Sequence, residues 1–76
     1  MNKERRKRIE EIQDKIAELQ ADIQWLKEEE EEAHDNLPDG IRDGERGDAM
    51  QEAIDAMENA DNALQEAYDY LTDATE

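Results

Sequence analysis

Apolar residues recur in the first third of the chain as Ile9, Ile12, Ile16, Leu19, Ile23 and Leu26, at alternating spacings of three and four. That alternation is a coiled-coil seam, with Ile at one register position and mostly Leu at the other. Continued forward, the seam meets Glu30, Ala33 and Leu37, and it weakens where the acidic run Glu28 to Glu32 begins. The pattern predicts a helix over about 3–36, on the order of 50 Å long.

A break follows at Leu37-Pro38-Asp39-Gly40-Ile41-Arg42-Asp43-Gly44, which holds the only Pro and two of the three Gly. These residues are the strongest local breakers of regular structure, so a loop is predicted over about 37–44. Asp43 or Gly44 would cap the next helix.

Beyond the break, heptads are visible directly, with Ala53, Ala60, Ala67 and Ala74 recurring every seven residues. Met50, Ile54, Met57, Leu64, Tyr68 and Leu71 form the main seam, interrupted by Asp61, and Ala49, Ala56 and Ala63 form a further flank. A helix over about 45–74 is predicted. Its stripe is wide enough to touch more than one neighbouring helix. Two helices joined by so short a break pack antiparallel. The predicted fold is therefore all-α, one domain over 1–76: an antiparallel two-helix hairpin that dimerises into a four-helix assembly.

Composition narrows the chemistry. The 76 residues include no Cys, Ser, Phe or Val, and ten of the 27 apolar residues are Ala. Disulfides, Cys or Ser nucleophiles and Cys-ligated zinc are excluded. A core built from so few large side chains is thin, and self-association is the expected staple. No stretch has the roughly 20 apolar residues of a membrane span. No signal peptide is evident, because the segment after the basic start is amphipathic. A soluble intracellular protein is expected.

Charge adds the functional expectation. Asp and Glu number 24 against nine Lys and Arg, a net of −15. Five of the nine cations are Lys3, Arg5, Arg6, Lys7 and Arg8. The first helix thus runs against its own dipole, cations first and carboxylates last. A hairpin would relieve this by setting the basic start beside Asp69, Asp73 and Glu76, and the Glu run beside Arg42 and Arg46. The acidic surface serves solubility, or it meets a basic partner, with rows of carboxylates imitating nucleic-acid phosphates. The candidate partner-binding residues are Glu28, Glu29, Glu31 and Glu32, with Asp48, Glu52, Asp55 and Trp25 as secondary candidates. Trp25, on the flank of the seam, is either edge packing in a dimer or an anchor for a foreign partner.

Several motifs carry little. Asp35, Asp39 and Gly40 fit part of a calcium loop, but its third and twelfth positions would be Leu37 and Arg46, which supply no carboxylate. Glu31-x-x-His34 has the spacing of a di-metal bundle ligand pair, yet occurs once, at a helix end. Arg46-Gly47-Asp48 falls in the first turn of a helix. No enzyme activity, catalytic residue, metal or cofactor is expected.

Asp35-Asn36-Leu37-Pro38, then Gly44-Glu45-Arg46, then Ala53-Ile54-Asp55-Ala56-Met57-Glu58-Asn59-Ala60 resembles small acidic helical-hairpin proteins of Gram-positive phages and mobile elements. The resemblance covers about half of the chain. It departs at Gly44, where Ser is common, and at Gly47, where a larger residue often sits, and both glycines are expected to weaken the start of the second helix. By analogy with other small acidic phage proteins, it implies an inhibitor of a host or defence protein, such as an anti-CRISPR protein or DNA mimic. A structural oligomerisation module is the alternative expectation. A nucleic-acid accessory protein using Lys3 to Arg8 is another, disfavoured by the overall negative charge.

Overall fold

The computed structural model describes residues 1–76. Helix α1 spans Lys3–Asp35, a single turn α2 spans Asp39–Arg42, and α3 spans Glu45–Thr75. The two long helices lie side by side and antiparallel in a rod of 58 × 15 × 11 Å. Its radius of gyration is 17.3 Å, against roughly 11 Å for a globular chain of this length. The all-helical fold and the position of the break agree with the sequence reading. The break itself is not a plain loop, because half of it folds into α2.

Each boundary has a local cause. Asn2 caps α1, its side-chain oxygen accepting from the Arg5 amide at 2.8 Å, which satisfies one of the free N–H groups of the first turn. Pro38 begins α2, its carbonyl accepting from the amides of Ile41 and Arg42 at 2.9 Å. Gly44 caps α3 in an extended conformation and offers no side-chain bond. The chain reverses without a single left-handed residue.

Gly47 corrects an expectation. Far from merely weakening α3, it is buried where the helix passes under the α2 corner. A Cβ added there would fall 1.8 Å from the Arg42 carbonyl oxygen, so no larger residue fits. At Gly44 the nearest atoms to an added Cβ lie at 3.5 Å, an ordinary contact.

The core is thin. Ile16 and Ile54 are its only buried apolar side chains, at 8% and 5% exposure. On α3 the inward line is the predicted one: Met50, Met57, Leu64, Tyr68 and Leu71 are half-buried around Ile54, and Asp61 is half-buried in the same line. Every Ala of α3 is exposed.

On α1 the predicted seam is split. Ile9, Ile16 and Ile23 face α3, but the alternate inward positions are Gln13, Gln20 and Lys27. Ile12, Leu19 and Leu26 remain 47%, 50% and 55% exposed. The physical reason lies in side-chain amides. Gln13, itself buried, donates to the Tyr68 carbonyl at 3.0 Å and to Thr72 Oγ1 at 2.8 Å. Gln20 donates to Gln65 at 3.1 Å. A buried amide with its bonds made costs little, and these bonds hold the two helices in register along one flank. The opposite flank carries Ile12, Leu19 and Leu26.

Candidate functional site

The carboxylates of α1 sort into two groups by helical position. Trp25, Glu28, Glu29 and Glu32 are spaced by three and four, so they share one outward face. All four are exposed, Trp25 at 66%. The indole N–H donates to a Glu29 carboxylate oxygen at 2.8 Å, and Gln24 donates to Glu28 at 3.2 Å. These four residues border a hollow of about 130 Å³, below the few hundred Å³ of small-molecule pockets. The feature is therefore a surface: an amphipathic ring lying among three carboxylates, held by one of them.

Glu31 belongs elsewhere. It is half-buried and pairs with Lys27 at 3.8 Å, and the Lys27 side chain is only 19% exposed. Of the four principal Glu candidates, three share the outward face and the fourth is engaged beside the helix–helix seam. Asp48, Glu52 and Asp55 lie on the first turns of α3, all exposed. Antiparallel packing puts them at the same end of the rod as the Glu run. Asp55 accepts from Gln51 at 3.0 Å.

The expected charge pairing within the hairpin is not made. The ion pairs are Lys27–Glu31 and Arg42–Asp39, and His34 lies beside Asp35. None joins Lys3, Arg5, Arg6, Lys7 or Arg8 to Asp69, Asp73 or Glu76, and none joins the Glu run to Arg42 or Arg46. Arg42 instead turns back to Asp39 within α2. The cause is geometric: the basic side chains sit on exposed positions around the start of α1, while its seam positions there are Ile9 and Gln13. One end of α1 thus displays free cations and the other free carboxylates.

His34 is half-buried beside Asp35, with 3.8 Å between Nδ1 and the carboxylate. Glu31-x-x-His34 gathers no further ligand, and no group of three or more His, Asp or Glu side chains is placed to hold a metal ion. No helix is long and apolar enough to cross a membrane.

The residues that sequence reasoning misplaced are Ile12, Leu19 and Leu26, read as core and found on the surface. The available signal was the equal spacing of the Gln13, Gln20 and Lys27 column, which competes with them for the inward position. No family model matches this chain, and no curated protein and no solved structure is significantly similar to it.

Proposed function

We propose that this chain is a binding protein that docks the outward face of α1, Trp25 with Glu28, Glu29 and Glu32, against a basic surface of another protein. Asp48, Glu52 and Asp55 extend the acidic surface along α3. The single observation that carries this assignment is the exposed indole set among three carboxylates. Large exposed aromatics anchor interfaces because they bury much area at low entropic cost. The surrounding charge steers a cationic partner onto that anchor. A nucleic-acid-binding enzyme or defence protein has the basic groove such a surface would enter. Inhibition of a host or defence target is supported by the resemblance of the Asp35–Pro38 corner and the α3 heptads to phage proteins.

The test uses the purified chain to capture proteins from a Gram-positive lysate at low and high salt. A parallel capture uses the variant carrying Trp25→Ala, Glu28→Lys, Glu29→Lys and Glu32→Lys. The expected result is a basic protein retained at low salt, released at high salt and lost with the variant, whose helicity by circular dichroism stays unchanged. Equal capture by the variant would overturn the assignment.

A further inference from the structure

We infer that the exposed Ile12–Leu19–Leu26 column of α1 is the docking surface for a second copy of this chain, its α1 running antiparallel to the first with Leu19 opposite Leu19. Three observations on different parts of the molecule lead to this. The first is the column itself. Three large aliphatic side chains, about half exposed, recur every seven residues along one line. Ala53, Ala60, Ala67 and Ala74 of α3 lie on the same side of the hairpin, opposite the flank that carries the Gln13–Thr72 and Gln20–Gln65 bonds. Large residues on one helix beside small ones on the other make a face that a third helix can approach closely. The broad side of the rod measures 58 by 15 Å, on the scale of the roughly 800 Å² per partner that stable complexes bury.

The second observation is charge. Leu19 is the midpoint of the column, so an antiparallel copy centred there sets Ile12 against Leu26. The next column outward on α1 reads Arg8, Lys15, Asp22, Glu29. In that register Arg8 meets the second copy's Glu29, and Lys15 meets its Asp22. The order is basic then acidic, which is complementary to itself only when reversed. A parallel copy would set the Glu28 to Glu32 runs together on a protein already carrying −15, and like charges would oppose it. Arg8, which finds no partner on α3, finds one on the second copy.

The third is a hollow at the end of the column. Met1, Arg5, Arg8, Ile9 and Ile12 border a space of about 250 Å³, largely apolar. The antiparallel register brings the second copy's Leu26 to the Ile12 edge of this space. The dimer follows the two-fold rule that a residue near the axis meets its own counterpart. It leaves Trp25, Glu28 and Glu32 outside the contact and shares only Glu29 with the face proposed above, and the column that carries it, Ile12, Leu19 and Leu26, has no part in that binding role.

The chain has no Cys, which allows a direct test. The full chain with Leu19→Cys and, separately, with Leu26→Cys is oxidised, and the unmodified chain is sedimented over a range of concentrations. The expected result is a dimer in sedimentation, a disulfide dimer for Leu19→Cys and none for Leu26→Cys. Antiparallel geometry sets the two Leu26 positions roughly 20 Å apart, at about 1.5 Å per residue. Cross-linking by Leu26→Cys would show a parallel pair and overturn the inference, as would a dimer cross-linked by neither variant or a monomer at all concentrations. Arg8→Glu and Glu29→Arg should each weaken the dimer about tenfold, and the two together should restore it. Failure of the double variant to recover would overturn the register.

Discussion

Helices α1 and α3 meet the same packing task with different side chains. α3 turns one line of Met, Ile, Leu and Tyr, broken only by Asp61, to its partner and lines its flanks with Ala. α1 gives its partner an Ile column and a column of amides and Lys27, and keeps a second aliphatic column, Ile12, Leu19 and Leu26, outside. α3 therefore has one apolar face for one neighbour, widened only by small residues. α1 has two faces that share the Ile9–Ile16–Ile23 column as their common edge. In α1, the residues that hold the hairpin and those that can hold an assembly are separate. They can be broken one at a time.

The largest effect is expected at the corner that brings the two helices together. Gly47→Ala sets a methyl group against the Arg42 carbonyl, a backbone atom that cannot yield as a flexible side chain would. The expected loss exceeds about 3 kcal/mol, at the upper end of overpacking costs, and thermal melting by circular dichroism should lose its cooperative transition. An unchanged melt would mean that α2 and α3 do not meet as closely as described.

Next come the buried isoleucines. Ile54→Ala and Ile16→Ala should each cost about 2–4 kcal/mol, because both side chains are nearly covered and leave a void. Leu19→Ala, from the exposed column, should cost less than about 1 kcal/mol in dilute solution, where an exposed side chain has little burial to lose. Its cost should grow with protein concentration as association supplies the missing neighbour. Equal effects for Ile16 and Leu19 at high dilution would erase the distinction between the two faces.

Gln13→Ala sharpens the amide side of the comparison. It removes two bonds to α3 and should cost about 1–2 kcal/mol in urea denaturation. Gln13→Leu should recover most of that loss, since the site is buried and the Tyr68 carbonyl lies within α3. The smallest effect is a gain. Gly44→Ser adds the missing cap where a Cβ makes only ordinary contacts, and should stabilise the chain by a few tenths of a kcal/mol. The paired outcome at Gly44 and Gly47 separates a glycine that can be replaced from one that cannot.

Much of this was legible in the residues themselves. The α3 seam could be read because its large residues fall on one line and its flanks are Ala, leaving a single inward solution. The acidic run of α1 could be read as a run, but the sequence reading took Glu31 with Glu28, Glu29 and Glu32, and only the packing set Glu31 beside Lys27 and apart from the face of Trp25. The inward face of α1 could not be read. Its isoleucines are common to two seams of identical period, and hydrophobicity alone favours the one with Ile12, Leu19 and Leu26. Gly47 was equally opaque, since its need depends on a carbonyl five residues earlier in a turn that the break only hinted at.

By itself the sequence determined two long helices, their boundaries to within a residue or so and the uneven charge along α1, because caps, breakers and period act over a few neighbouring residues. Tertiary structure decided which column of α1 faces α3, which carboxylate is engaged by Lys27, and that the basic start stays unpaired. Those outcomes depend on what each side chain meets across the hairpin. Amide bonds fifty or more residues apart in sequence, from Gln13 to Tyr68 and Thr72, outweighed the local preference for an all-aliphatic seam.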